Sequence, residues 1–173
     1  MFRDVNDHNV YLKPGDLYVS NKPIRITTVL GSCVSICLYD TVLKTGGMNH
    51  FMLPYKRPKD EQIPKYGDVA IHSLIKKMEE MGSSRKSMVA KIIGGADNTG
   101  GIKGYFCIGE SNHSAAVDIL EEYRIKIIRK NIGGNKGRKV IFFPQTGQVY
   151  MKFLEYREAE KFQQLEKVIR QAK

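Results

Sequence analysis

Two residues able to carry out acyl chemistry stand close together in the sequence. Cys33 ends the turn Gly31-Ser32-Cys33, and His50 ends the run Gly46-Gly47-Met48-Asn49-His50. A thiol at its ordinary pKa is only a few per cent thiolate near neutrality, and an imidazole within hydrogen-bond reach turns it into a strong nucleophile. A pair of this kind cleaves an amide or ester through a thioester. Spacing alone leaves a plainer alternative, a core thiol and a surface histidine, because free cysteine is among the most buried residue types.

The elements around the pair must bring it together. Residues 23–30 are dense in β-branched side chains, which suit a pleated, half-buried strand. Residues 34–39 alternate with strand period until Asp40-Thr41 breaks the pattern, and residues 45–53 form a further strand ending near His50. A thiol at the mouth of the turn between two strands is held by scaffold yet reaches outward. Adjacent second and third strands would put the imidazole within reach of the thiol. Alternation in the first strand sends Arg25, Thr27 and Val29 to one face and Ile24, Ile26, Thr28 and Leu30 to the other.

Longer motifs narrow the choice. Thr27-Thr28-Val29-Leu30-Gly31-Ser32-Cys33-Val34-Ser35, followed by Gly46-Gly47-Met48-Asn49-His50-Phe51-Met52-Leu53-Pro54, closely resembles the CheD family of chemotaxis proteins. The resemblance continues through Tyr66-Gly67-Asp68, Ile93-Gly94-Gly95-Ala96, Ile108-Gly109-Glu110-Ser111-Asn112 and Ile132-Gly133-Gly134-Asn135 to Thr146-Gly147-Gln148-Val149. It implies a cysteine-dependent deamidase that converts chemoreceptor glutamines to glutamates, with Cys33 as nucleophile and His50 as base. It also implies that Thr27, six residues before Cys33, completes the catalytic group. The implied partners are methyl-accepting chemotaxis receptors and, in part of the family, a CheC-type phosphatase. The implied fold is a mixed β-sandwich with helices packed outside, shared with the catalytic domain of cytotoxic necrotising factor toxins. Three positions depart from the usual family pattern: Ser111 for a common arginine, Asn131 for a common aspartate, and Asp97 for a frequent asparagine. None touches Cys33, His50 or Thr27, so they bear on recognition more than on chemistry. Two rival classes stay open, a regulatory binding module for a CheC-type phosphatase and an unrelated Cys–His hydrolase.

Composition sets the outer limits. The 173 residues suit one domain over 1–173 with a sizeable core. No apolar run approaches the roughly 18 residues of a membrane span, and the polar N-terminus lacks the apolar stretch of a signal peptide. The expectation is a cytoplasmic protein with no membrane insertion. Three cysteines, Cys33, Cys37 and Cys107, suit a reducing compartment, and Cys37 and Cys107 read as structural. The scattered His8, His50, His72 and His113 show no ligand spacing, so neither metal nor cofactor is expected. The net charge of +10 points to an acidic protein partner. Nucleic acid is disfavoured, because the aromatics do not interleave with the basic residues.

The remaining chain completes an α+β class, a mixed sandwich flanked by helices. Residues 1–13 read as an N-terminal arm, with a short strand over 17–20. Residues 54–64, with three prolines, form a loop beside the site. Asp68 reads as the cap of a helix running to about residue 81, with Gly82 as its stop. A strand over 88–93 precedes a glycine-rich loop, and Ser111 or Asn112 reads as the cap of a second helix. Strands over 124–128 and 139–143 read as joined by a hairpin turn at 133–137. A last strand over 148–154 leads to a charged helix over 155–172 with an apolar stripe.

Overall fold

A computed structural model describes residues 9–97 and 107–155. In chain order the strands are β1 (Asn9–Tyr11), β2 (Leu17–Ser20), β3 (Arg25–Leu30), β4 (Val34–Asp40) and β5 (Thr45–Asn49). Then come helix α1 (Gly67–Glu80), β6 (Met88–Gly94), helix α2 (Ile108–Glu122), β7 (Lys126–Ile132), β8 (Arg138–Phe143) and β9 (Gln148–Phe153). The C-terminal helix expected over 155–172 lies outside the described residues except for Glu155, which is not helical.

The strands form two mixed sheets, one ordered β1-β3-β8-β9 and the other β2-β5-β4-β6-β7. Alternation gives the second sheet two buried faces. One face, carrying Val34, Ile36, Leu38, Ala90 and Ile92, packs on α1 and α2 through Ala70, Ile71, Leu74, Ala115, Ala116 and Leu120. The other, carrying Cys33, Cys37, Met48 and Ile93, meets Ile26, Leu30, Val140 and Phe142 of the first sheet. The chain is therefore an α+β protein layered sheet on sheet with both helices behind the second sheet.

Several local expectations change in three dimensions. Within the supposed arm, β1 pairs in parallel with β3, and Leu12 is buried in the inter-sheet core. The segment at 133–137 does not close a hairpin, because β7 lies in one sheet and β8 in the other. Asp68 is not the cap of α1: Tyr66 holds that position, and the Asp68 carboxylate accepts the Lys56 amide at 3.2 Å. Likewise α2 starts at Ile108 with Cys107 at its cap, so Ser111 and Asn112 lie inside the helix. The turn Gly31-Ser32-Cys33 is itself a crossing, since β3 and β4 belong to different sheets.

Candidate active site

His50 sits just past the end of β5, and both of its backbone polar groups are tied to one turn. Its amide donates to the Asp16 carbonyl at 3.0 Å and its carbonyl accepts the Gly15 amide at 2.8 Å. The ring is 1% exposed, so it is oriented by protein and not by solvent. Nδ1 lies 2.8 Å from the Thr28 hydroxyl, and that hydroxyl also lies 2.8 Å from the Leu12 carbonyl. A hydroxyl carries one proton, and a carbonyl can only accept. With that proton given to Leu12, Thr28 accepts from Nδ1–H, and the neutral imidazole keeps its lone pair on Nε2. This tautomer is the one a base facing away from Thr28 requires.

Thr27, the threonine expected at the site, is not the residue that meets His50. Its neighbours Ile26, Thr28 and Leu30 are fully buried toward the second sheet, and alternation turns the half-buried Thr27 side chain to the outer face of the first. The threonine whose hydroxyl meets His50 is the next one along the same strand, Thr28.

Cys33 reaches the same inter-sheet space from the turn just before β4. The β4–β5 register pairs Cys37 with Met48 and Val34 with Phe51, so Ser35 stands opposite His50 and Cys33 diagonal to it on the same face. Diagonal neighbours across an antiparallel pair lie roughly 7 Å apart, within reach of long side chains. Three consecutive carbonyls pin the cysteine's turn: Gly31 accepts from Ala96 N at 2.9 Å, Ser32 from Asn112 Nδ2 at 2.9 Å, and Cys33 from Gly95 N at 2.8 Å. Gly94 is required for this, since a Cβ there would lie 2.2 Å from the Cys33 carbonyl and its φ is +120°. Thr28 from the first sheet thus meets His50, and Cys33 lies diagonal to His50 on the inter-sheet face of the second.

The other thiols stand apart from it. Burial pushes the Cys37 thiol up to about 12, against a weaker opposing pull from Lys91. Cys107 is half-buried at the start of α2, where it lines a cleft of about 890 Å³ with Tyr55, His113 and Asp118. Burial pushes the His113 imidazole below its usual range, with Glu110 opposing and Lys130 reinforcing the shift. Among the described residues no three His, Cys, Asp or Glu side chains gather in a metal-binding group. No helix there is long and apolar enough to cross a membrane.

Sequence reasoning missed Leu12, the Gly15-Asp16 turn and Asn112. Only the carbonyl and amide groups of the first two take part, and backbone groups leave no mark on residue type. Asn112 did leave a signal, a polar residue inside an apolar helical stretch, but a cap explained it more simply.

A buried cysteine–histidine pair at the corner between two sheets, with a threonine behind the imidazole, defines a candidate acyl-transfer protein of α+β class. The chain belongs to the CheD family: the profile described as "CheD chemotactic sensory transduction" matches residues 52–153. That match begins just after His50, whereas whole-chain relatives span more. A "Probable chemoreceptor glutamine deamidase CheD" of Sulfurimonas denitrificans is 42% identical over 146 residues, covering 84% of this chain and 94% of the relative. A "Probable chemoreceptor glutamine deamidase CheD 1" of Anaeromyxobacter dehalogenans is 41% identical, covering 84% of each. Among solved structures, the Bacillus licheniformis hypothetical protein YfiH aligns with a TM-score of 0.43 and 14% identity, over 67% of this chain and 50% of that one. That likeness is too slight to build on.

Proposed function

We propose that this protein hydrolyses the side-chain amide of specific chemoreceptor glutamines, giving glutamate and ammonia. His50 Nε2 takes the Cys33 proton, and the thiolate attacks the glutamine carbonyl carbon. As the tetrahedral intermediate collapses, the C–N bond breaks and the imidazolium protonates the departing ammonia. A water deprotonated by His50 then attacks the thioester. Its C–S bond breaks, Cys33 recovers its proton, and the carboxylate leaves. Thr28 keeps Nδ1 protonated throughout the neutral stages and so reserves Nε2 for the reacting side. Backbone N–H groups of the Ser32-Cys33 turn are the oxyanion donors in this reading.

The observation that carries the proposal is the Thr28–His50 hydrogen bond at 2.8 Å, backed by the Leu12 carbonyl, because it sets the tautomer a base needs. The printed names of the relatives support the substrate class. In this reading the protein works in the cytoplasm on receptor signalling domains. A CheC-type phosphatase, if it binds, acts as a modulator of the same activity. The test is incubation with purified receptor followed by mass analysis of single glutamine peptides. Conversion by the wild-type protein, its loss in Cys33→Ala, and a change of rate on adding a CheC-type protein are the expected results. No conversion of any receptor glutamine would refute the proposal.

A further inference from the structure

Asn112 is fully buried inside α2, four residues past the start of the helix, and its side chain leaves the helix altogether. Both of its amide protons are spent on the ends of two strands. Nδ2 donates to the Ser32 carbonyl at 2.9 Å and to the Met52 carbonyl at 2.9 Å. Ser32 precedes Cys33 directly, and Met52 follows His50 by two residues. Val34 and Phe51 exchange hydrogen bonds of 3.1 and 3.0 Å. Asn112 lies next to this pair and joins the nucleophile's segment to the base's segment through one planar group. Its Oδ1 makes no hydrogen bond among the described residues, so the two Nδ2 bonds alone set its orientation.

The helix that carries Asn112 is seated on the same turn. At Gly109, one turn earlier, a Cβ would lie 2.6 Å from the Gly95 carbonyl and 2.7 Å from that of Ala96. The amides of Gly95 and Ala96 are the ones that hold the Cys33 and Gly31 carbonyls. The amide of Asn112 is therefore delivered from a fixed platform. Asparagine is a poor residue for a helix interior, and capping does not explain it here.

We propose that Asn112 is a positioning residue that fixes the spacing of Cys33 from His50 and the orientation of the Ser32–Cys33 peptide. The inference rests on reading Cys33 and His50 as nucleophile and base. The peptide part follows from covalent geometry. In a trans peptide the C=O and N–H point in opposite directions. Holding the Ser32 carbonyl toward α2 thus turns the Cys33 N–H away from α2, as an oxyanion donor on the nucleophile's own backbone requires. Asn112 touches neither substrate nor reacting atoms, and its contribution lies in the transition state. A misplacement of about 1 Å costs roughly 10²-fold in rate.

The test compares wild type with Asn112→Leu, which keeps bulk but donates nothing, and Asn112→Asp, which keeps shape but loses donors. The first readout is peptide-resolved alkylation of Cys33 by iodoacetamide over about pH 5 to 9, where imidazole and thiol titrate. Wild-type Cys33 should stay reactive on the acid side of that range. Both variants should lose the acid-side reactivity while still melting cooperatively. The second readout is deamidation, where kcat should fall about 10²-fold with KM changed less than about twofold. Alkylation profiles that superimpose on wild type, with only a lowered melting temperature, would overturn the proposal by making Asn112 a structural tie. Unfolding of both variants would overturn it too, since Asn112 would then determine the fold and not the spacing. Wild-type Cys33 lacking acid-side reactivity would refute the nucleophile–base reading itself. Acid-side reactivity shared by all three proteins refutes the positioning role alone.

Discussion

Thr28→Val is the most informative perturbation of the site, because it removes one oxygen and leaves the shape of the side chain. The hydroxyl makes two buried contacts of 2.8 Å, donating to Leu12 and accepting from His50 Nδ1. Both partners would be left unsatisfied, and a buried orphaned group costs about 1–3 kcal/mol. The stability loss should then be roughly 2–6 kcal/mol, enough to lower the melting temperature by many degrees while still leaving the domain folded in the cold. The effect on turnover has a separate cause. Without an acceptor at Nδ1 the ring is free to carry its proton on Nε2, where it cannot accept one from Cys33. General-base catalysis contributes about 10²–10⁴-fold, so a loss of about 10²-fold in kcat is expected from the variant's folded fraction. The assay is deamidation of purified receptor below the onset of melting, paired with nitrogen NMR of His50, which reads the protonated ring nitrogen directly. Thr27→Val, on the outer face of the same strand, serves as the control and should stay within a few-fold of wild type. Equal losses in the two variants, or a wild-type His50 protonated on Nε2 when neutral, would refute the tautomer argument.

Other expectations follow from the remaining geometry. Cys37, pushed up to about 12, is about 10⁻⁵ thiolate at pH 7 and should resist alkylation, with Cys33 the fastest-reacting thiol and slowed in His50→Ala; peptide-resolved labelling checks this, and a faster Cys37 would count against the pair. The loop after His50 carries Lys56, Arg57 and Lys59, but Asp60 engages Arg57 at 3.1 Å through both Nε and Nη2, leaving the lysines to act outward. Charge reversal of Lys56 and Lys59 to Glu should raise the receptor concentration for half-maximal rate, with a salt dependence set by a Debye length of about 8 Å, and leave Cys33 alkylation unchanged. Burial raises the Asp40 carboxyl, but the Leu43 and Val42 amides, with the nearby Ser87 and Ser83 hydroxyls, outweigh it and hold the group below its usual range. Its stabilising contribution is therefore complete above about pH 4 and lost as pH falls through the lowered value. The stability gap between wild type and Asp40→Asn should narrow in acid, and denaturant melts at several pH values would show it.

What the sequence determined by itself was the local setting of a possible nucleophile and base. The β-branched alternation on either side of Gly31-Ser32-Cys33 and the run ending at His50 specify strands and a turn from nearest-neighbour propensities alone. The types Cys33 and His50 allow nucleophile–base chemistry, and the longer motifs around them, not the types alone, pointed to one family. Alternation also told correctly that Thr27 and Thr28 point opposite ways. It could not tell which way led to the site. The family resemblance points to Thr27, on the less apolar face, whereas the hydroxyl that meets the buried His50 is that of Thr28, on the same face as Ile26 and Leu30. Which face is covered depends on the second sheet, and that sheet's arrival is a non-local event. The same reason separates the crossing at 133–137 from a hairpin: strand partners are chosen by whole-layer packing, and turn residues look alike in both. Asn112 is the plainest case, since an asparagine near a helix start satisfies local rules as a cap. Only the close seating of α2 at Gly109 turns its amide into a bridge between the strands of Cys33 and His50.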